Sequence, residues 1–322
     1  MMKTNIDRII GAGLIPVAAV SDASKAADLG RALCAGGIPV VEAAWLAEST
    51  AEVVRELRRG APRLVVGAGR IHTGRQAEAA VLAGAAFIAT SGFAGEAVEW
   101  CMEHSVPVFP GCSTPSDLER ALALGLDTVG FFPAGFCGGA KAVQSLAEAY
   151  GTLRFLPAGG IDLRDVPEYL ALDCVAACRG SWMVPEDLVG RGDFKAIEAL
   201  CREAVRTAYG FEVQHVGINA GDAAEAGQIG GRFGELFGFV LEENPASYFA
   251  GGQIEIIKGP FLGRHGHIAV QTVCVDRAVG YFGLLGVGLD PSTMQRGGDG
   301  KIVSAYLREE VGGFAVHLKR KS

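Results

Sequence analysis

The chain has 322 residues, of which 49% are hydrophobic, 20% are charged and 46 are glycine, and its formal net charge is −7. This length exceeds that of one typical domain, and the composition suits a folded α/β enzyme rather than a disordered chain. The negative charge excludes a general affinity for nucleic acid or anionic membranes, since both need clusters of cations, and it predicts small molecules as partners.

The first apolar run and the cysteines indicate a cytoplasmic protein. Asp7 interrupts the run, and Ser21 and Asp22 close it before about 18 apolar residues accumulate. The eight cysteines form no CxxC pair and no framework of the secreted type. Reduced and mostly buried thiols are therefore expected.

Eight apolar segments alternate with helical stretches rich in Ala and Leu between residues 13 and 181. In chain order they are GLIPVAAV (13–20), IPVVEAAWL (38–46), RLVVGAG (63–69), AAFIATS (85–91), VPVFPGC (106–112), DTVGFFPA (127–134), RFLPAGG (154–160) and CVAACRGS (174–181). Continuous apolar runs are typical of strands buried on both faces. The even spacing predicts an α/β fold, a (β/α)₈ TIM barrel over residues 1–208, with functional side chains at the carboxyl ends of the strands. An open doubly wound sheet is the alternative.

The pattern changes near residue 205, after the helical stretch DFKAIEALCREAVRTAY (193–209). The segment at 214–240 is similar to the segment at 266–288, and each copy runs on to a closing strand, QIEIIKG (253–259) in the first and GFAVHLKR (313–320) in the second. This internal repeat predicts an α+β domain of paired βαβββ modules over residues 209–322, joined at about residues 258–265.

Four ligand-capable side chains alternate with apolar neighbours at equivalent places of this repeat. They are His215, Glu255, His267 and His317. A pseudo-twofold would bring them together as one His3Glu site for a divalent transition metal, either Zn, Ni, Co, Mn or Fe. The alternative is a set of partly exposed residues on a sheet with one wet face. His265, two residues before His267, is expected at the rim.

The same segments resemble the glyoxalase, or vicinal oxygen chelate, superfamily through GQIEIIKG (252–259) and HGHIAVQTV (265–273). The resemblance implies that Glu255, His267 and His215 are metal ligands. The last ligand of that superfamily is an acid, and His317 in its place keeps a ligand there but argues against a general base. The implied metal would act as a Lewis acid on neighbouring oxygens of a substrate and stabilise an enolate-like transition state.

Residues 5–205 resemble 2-keto-3-deoxy-6-phosphogluconate aldolase and its 4-hydroxy-2-oxoglutarate-cleaving relatives. The resemblance rests on VVEAAWL (40–46), VVGAG (65–69), FPGCSTPSDL (109–118), GFFPAGFCGGAKAV (130–143), FLPAGGI (155–161) and RGSWMVP (179–185). It implies that Glu42 is the general acid/base, whose alternative is a buried acid paired with a nearby Arg or Lys. The Schiff-base lysine of that family would precede FFPA, where this chain has Gly130. The chain departs from that family at two further positions. Leu46 stands where the family has a carboxylate-binding Arg, and Arg70 stands where it has a Thr.

Other residues at the carboxyl ends of the predicted barrel strands match the phosphate-binding turns of that family. The residues concerned are Gly159, Gly160, Gly180 and Ser181, with Arg179 and Arg70 adding positive charge. Lys141 matches a family lysine outside the Schiff-base position and is expected to start a helix or to contact phosphate, with a relocated nucleophile as the alternative. His72 and Arg75 are expected in a solvated loop.

These observations predict an aldolase-family protein, a carbon–carbon lyase by class, that acts on a 2-keto acid or sugar-acid phosphate and carries a metal-dependent second domain. The alternative is a catalytically silent barrel that serves as a ligand-binding scaffold or sensor. A third hypothesis keeps aldolase activity through Lys141 or through metal-assisted enolisation. Both resemblances imply a homo-oligomer, trimer or dimer.

Overall fold

The computed structural model describes residues 5–321, which divide into two compact units between Ala208 and Tyr209. The change in sequence pattern placed the domain boundary at the same two residues. Each unit contains its own strands and helices.

The first unit alternates strands with helices. Its strands are β1 (Leu14–Ala18), β2 (Val40–Ala44), β3 (Val65–Gly69), β4 (Ile88–Ala89), β5 (Val108–Phe109), β6 (Gly111–Cys112), β7 (Thr128–Phe131), β8 (Arg154–Pro157) and β9 (Cys178–Gly180). Its helices are α1 (Asn5–Ala12), α2 (Ala26–Ala35), α3 (Thr50–Gly60), α4 (Gly74–Ala83), α5 (Gly95–Glu103), α6 (Pro115–Ala123), α7 (Gly139–Ala149), α8 (Val166–Leu170), α9 (Glu186–Arg191) and α10 (Phe194–Tyr209). Every residue of β2 and β3 is buried, as the continuous apolar runs predicted.

The strands of this unit are parallel and follow one another around an α/β barrel. One sheet has the order β5-β4-β3-β2-β1-β9 and a second has the order β6-β7-β8. The fifth apolar segment was expected to be one strand, but it forms the short strands β5 and β6 on either side of Pro110, which has no N–H for a ladder. Single bridges from Phe155 to Val175 and from Ala158 to Arg179 join the β8 side to the β9 side.

The second unit is mainly one mixed sheet of eight strands. Its elements are β10 (Glu212–Asn219), α11 (Ala223–Phe237), β11 (Leu241–Glu243), β12 (Ser247–Ala250), β13 (Ile254–Ile257), β14 (His267–Thr272), α12 (Val275–Leu285), β15 (Gln295–Arg296), β16 (Ile302–Val311) and β17 (Phe314–Arg320). The sheet order is β11-β12-β13-β10-β14-β17-β16-β15. Strand β10 is parallel to β13, β14 is parallel to β17, and β10 and β14 pair antiparallel at the centre. Each half of the sheet is therefore a strand, a helix and three strands.

Two further expectations concern helices and thiols. Within residues 5–321, none of the helices has the length and apolar character needed to cross a lipid bilayer. All eight cysteines are free, and each is buried or half-buried. Burial raises the pKa of the Cys101 thiol to about 12, so this cysteine is protonated at neutral pH.

Candidate functional site

A cavity of about 210 Å³ opens at the carboxyl ends of the barrel strands. The sequence predicted eight binding or catalytic residues in this unit, and the cavity wall contains all of them except Lys141. Those in the wall are Glu42, Arg70, Gly159, Gly160, Arg179, Gly180 and Ser181. Lys141 lies exposed in the first turn of α7 and is not a lining residue. The tertiary structure therefore collects residues that are up to about 140 positions apart in the chain.

Glu42 and Arg179 form a two-pronged ion pair in this wall. The Arg179 Nε donates to Oε2 of Glu42 at 2.8 Å, and Nη2 donates to Oε1 at 2.9 Å. Both side chains are almost fully buried, with exposures of 6% for Arg179 and 2% for Glu42. A Cβ at Gly69 on the neighbouring strand would overlap the Glu42 carboxylate, so this glycine makes room for the pair. Glu42, predicted as the general acid/base, is thus a buried acid paired with an arginine, the alternative stated for it above.

The third guanidinium nitrogen of Arg179 faces Gly130. Its Nη1 lies 3.0 Å from the position that a Cβ on Gly130 would take. The same atom is buried and has no hydrogen-bond partner among residues 5–321. The guanidinium therefore fills the side-chain space of residue 130. This relationship could not be predicted from the sequence, because the two residues lie on different strands, β7 and β9.

Three residues with a left-handed backbone conformation line the mouth of the cavity. Gly159 and Gly160 have φ values of 82° and 70°, and a Cβ on Gly159 would come within 2.6 Å of the Phe132 ring. Arg70 also has a positive φ of 57°, a conformation that costs a non-glycine residue about 1–2 kcal/mol. The Arg70 side chain is exposed and lines the cavity, so its positive charge lies where a ligand would bind.

Three other barrel residues named from sequence lie outside the cavity wall. His72 and Arg75 are exposed in the segment after β3, and Arg75 makes an exposed ion pair with Glu48 at 3.3 Å. Both side chains are solvated, as expected, but only His72 lies in a loop, because Arg75 belongs to the first turn of α4. Leu46, at the position of a carboxylate-binding arginine in the family resembled, is 48% exposed.

In the second unit, the four predicted metal ligands converge on the central strands of the sheet. The Nε2 atoms of His215 and His267 are 3.0 Å apart, and Oε2 of Glu255 lies 3.1 Å from each of them. His317 brings a third imidazole, and ligand atoms of the three histidines all lie within 4.8 Å of one another. His265 is exposed with its ring against Phe314, which places it outside this group, as expected for a rim residue.

Two small residues, Gly217 and Ala269, lie between the candidate ligands on neighbouring strands of the sheet. Gly217 on β10 pairs with Glu255 on one side and with His267 on the other. Ala269 on β14 pairs with His215 and with His317. A Cβ at Gly217 would overlap the His267 imidazole, so only glycine leaves the ring its place. The sequence analysis did not identify this role of Gly217, because it depends on the pairing of β10 with β14.

Hydrogen bonds from two serines orient two of the four candidate ligands. Ser247 Oγ donates to Oε1 of Glu255 at 2.7 Å, which leaves Oε2 for the histidines. Ser304 Oγ shares a hydrogen bond of 3.1 Å with Nδ1 of His317, and the Tyr306 ring stacks on the same imidazole at 4.4 Å. Nε2 of His317 is then buried with no partner in the described part of the chain. Such partners fix the orientation of metal ligands in proteins.

The protonation states suit metal ligands. Burial, together with the neighbouring imidazoles of His267 and His215, lowers the pKa of His317 to about 3, so this side chain is neutral at neutral pH. Burial opposes ionisation of Glu255, but its hydrogen bonds with His215, His267 and Ser247 outweigh burial and hold its pKa well below the ordinary value. The group therefore presents an anionic carboxylate and a neutral imidazole, the forms that bind a cation.

Comparisons with known proteins concern the first unit. The family model for KDPG and KHG aldolase matches residues 6–200. The 2-dehydro-3-deoxy-phosphogluconate aldolase of Treponema pallidum is 38% identical over 193 residues, which are 60% of this chain and 92% of the relative. The KHG/KDPG aldolase of Escherichia coli K12 is 36% identical over 207 residues, 64% of this chain and 97% of the relative.

A solved structure is similar over the same region. It is the KDPG aldolase of Legionella pneumophila, with pyruvate captured as a covalent carbinolamine intermediate, and it matches with a TM-score of 0.60 and 31% identity. The match covers 62% of this chain and 98% of that structure. Together with the observed strand pairings, it confirms the α/β barrel predicted for the first unit.

Proposed function

Through residues 6–200 the chain belongs to the KDPG and KHG aldolase family, and from that premise we propose a protein with two sites. The barrel binds a 2-keto acid or sugar-acid phosphate without forming a covalent lysine adduct. The second unit is a glyoxalase-like, or vicinal oxygen chelate, domain that holds a divalent transition metal and acts on a small oxygenated substrate.

The proposal of a metal centre depends on one observation. The side chains of His215, Glu255, His267 and His317 converge on one point of the sheet. A buried imidazole nitrogen without a partner is costly unless an ion or a polar group satisfies it, and Nε2 of His317 is such an atom. Three imidazoles and one carboxylate suit Zn, Ni, Co, Mn or Fe. The donor set therefore fits the group proposed.

The ligand atoms of His215, His267 and Glu255 already lie close together, with separations of 3.0, 3.1 and 3.1 Å. These three residues, with His317, would hold the ion, and imidazole and carboxylate donors of this kind bind each of the five metals.

A divalent ion held by these residues supplies a Lewis acid for adjacent oxygens of a substrate. The chain itself keeps Glu255 ionised and His317 neutral, and Ser247 and Ser304 hold the two ligands in place. His317 has no carboxylate to take a proton from carbon, and its Nδ1 is occupied by Ser304. The proposal therefore assigns His317 to ion binding alone.

Metal analysis tests this proposal. The full chain would be stripped with a chelator, dialysed separately against Fe(II), Mn, Co, Ni and Zn, and analysed by mass spectrometry for bound metal. We expect about one ion per chain, lost in Glu255→Ala and in His267→Ala and retained in His265→Ala, the matched rim histidine. Absence of binding in the wild type, or equal binding in all three variants, contradicts the proposal.

The barrel proposal follows from Gly130 and Arg179. A carbinolamine forms when an amine adds to the carbonyl carbon of pyruvate, and Gly130, at the position that the resemblance assigns to the lysine, has no amine. The guanidinium of Arg179 does not take the place of that amine. Lys141 is exposed and outside the cavity wall. The geometry therefore favours a binding cavity over a class I aldolase site.

Borohydride reduction in the presence of pyruvate tests the barrel. We expect no covalent adduct by intact-protein mass spectrometry, with the Escherichia coli aldolase as a positive control. An adduct at Lys141 would instead support the relocated nucleophile. A catalytically silent scaffold or sensor is the second candidate for the barrel, because the Glu42 carboxylate is fully engaged by Arg179. Ligand binding without turnover of any sugar-acid phosphate would favour it.

A further inference from the structure

We propose that Arg179 is the residue that selects the ligand of the barrel, by binding a carboxylate group without any requirement for an adjacent ketone. The inference rests on the proposed function of the barrel as a keto-acid binder and names the chemistry of recognition. The ligand class is a small 2-substituted carboxylate, whether its second carbon is a ketone or an alcohol.

The first support is a cation with unused donors in the wall of a cavity. Arg179 lines the cavity and is 6% exposed, while its Nη1 has no hydrogen-bond partner among the described residues. A buried N–H group without an acceptor is unfavourable, and a carboxylate oxygen is the strongest acceptor for a guanidinium. The site thus lacks an acceptor that an anionic ligand would bring.

The second support is that the guanidinium cannot turn away. Its Nε and Nη2 are both bonded to Glu42, which fixes the plane of the group. Glu42 balances one positive charge, and the exposed Arg70 adds a second cation to the wall, where Glu186 is the other acid. The two cations and two acids of the wall balance, so the preference for a negatively charged group rests on the fixed donor of Arg179 and not on a net charge.

The third support is the backbone beside Arg179, because Ala158, which immediately precedes Gly159, is bridged to Arg179. Gly159 and Gly160 both lie in the left-handed region, and both line the cavity. Successive backbone N–H groups in such turns form concavities that bind anions. The N–H groups of this turn therefore add to the donors of the neighbouring guanidinium, and both suit an anionic ligand.

A covalent lysine site and a guanidinium site select differently. Schiff-base formation needs a carbonyl carbon, so an alcohol in its place abolishes capture. Arginine recognises the carboxylate and leaves the second carbon free, so pyruvate and lactate should bind alike. Methyl pyruvate keeps the ketone but loses the negative charge, so it should bind poorly.

Calorimetric titration of the full chain with pyruvate, lactate and methyl pyruvate tests the inference. We expect the Kd values of pyruvate and lactate to agree within about threefold, and methyl pyruvate to bind at least about tenfold more weakly. Arg179→Met should weaken both anions by about tenfold or more, whereas Arg75→Met, at an exposed arginine outside the cavity, should leave them unchanged. Binding of pyruvate without lactate, or equal affinity in Arg179→Met, overturns the inference.

Removal of Arg179 leaves Glu42 unpaired in the interior, so the single variant can fail to fold. The double variant Glu42→Leu/Arg179→Met removes both charges, and thermal unfolding checks that it is folded. It should bind neither anion, and binding of either at wild-type affinity overturns the inference. If the wild type binds the sugar-acid phosphate but the Arg179 variants bind it equally, only this inference fails. If the wild type binds none of the probes, the proposed function of the barrel fails as well.

Discussion

The guanidinium of Arg179 occupies the side-chain space of Gly130, with Nη1 3.0 Å from the position of a Cβ on that glycine. One residue of the pair has no side chain, and the other is held in place by Glu42. The interior of the barrel therefore contains a fixed ion pair at the place where the aldolase resemblance implies a free amine. This arrangement leads to the first two predictions.

Arg179→Met alone should destabilise the chain by about 3–5 kcal/mol, because it leaves the Glu42 carboxylate buried without a partner. Glu42→Leu/Arg179→Met should recover most of this loss, since apolar side chains of similar volume replace a buried pair at little cost. Urea unfolding of both variants measures the difference. Equal destabilisation of the single and double variants would show that packing rather than charge pairing sets the cost.

Gly130→Lys alone should not restore covalent capture of pyruvate, because the new side chain would have to enter the space of the Arg179 guanidinium. Gly130→Lys/Arg179→Gly frees that space and should yield a pyruvate adduct on borohydride reduction, mapped to Lys at 130 by peptide mass spectrometry. An adduct of equal yield in the single variant would mean that Arg179 moves aside readily.

Gly217→Ala should abolish metal binding while leaving the barrel intact, because its Cβ would overlap the His267 imidazole. Forcing a methyl group into a packed site costs about 1–3 kcal/mol, and displacement of the ring removes a ligand. Gly231→Ala in α11 is the matched control, since a Cβ there meets nothing within 4 Å. Metal content of the two variants is the measurement, and retention of the ion in Gly217→Ala would contradict the placement of His267.

The metal-free chain should lose stability as the pH falls from 6.5 toward 3. Unfolded His317, with its ordinary pKa of 6.5, takes up a proton in this window, whereas the folded side chain, with a pKa of about 3, does not. The unfolded state therefore binds more protons, and the free energy of unfolding falls by up to about 1.4 kcal/mol per pH unit. The lowered pKa of Glu255 acts in the same direction below its ordinary value of 4.5.

Chemical unfolding at several pH values, with the metal removed, checks this dependence. His317→Gln should have a shallower slope between pH 4.5 and 6.5 than the wild type, because the group that titrates only in the unfolded state is gone. An identical slope in both proteins would show that the burial of His317 does not control its protonation.

Arg70→Asn should weaken binding of the barrel ligand by about threefold to tenfold and leave the free energy of unfolding within about 1 kcal/mol of the wild type. Asparagine tolerates the left-handed backbone at this position, so the fold is kept while the cation is lost. Calorimetric titration with pyruvate and thermal unfolding measure the two effects. Unchanged affinity would remove Arg70 from the site.

The sequence by itself predicted the α/β barrel, the change of pattern near residue 205 and the four candidate ligands His215, Glu255, His267 and His317. Strands buried on both faces appear as continuous apolar runs, and an internal repeat places His215 and His267 at equivalent points, so both features are local in the chain. The interrupted fifth strand was missed because the effect of Pro110 on the ladder depends on its neighbours.

Only the tertiary structure decided which groups meet. Glu42 and Arg179 are 137 residues apart in the chain. Neither segment by itself indicates that the carboxylate is hydrogen-bonded to this arginine and not available for proton transfer. Gly130 signals the loss of an amine in the sequence, but the cation that fills its space comes from another strand. The need for glycine at position 217 likewise arises only from the pairing of β10 with β14, which places the His267 imidazole where a Cβ of residue 217 would lie. The physical reason is that side-chain chemistry depends on distances of a few ångströms between strands, which chain spacing does not encode.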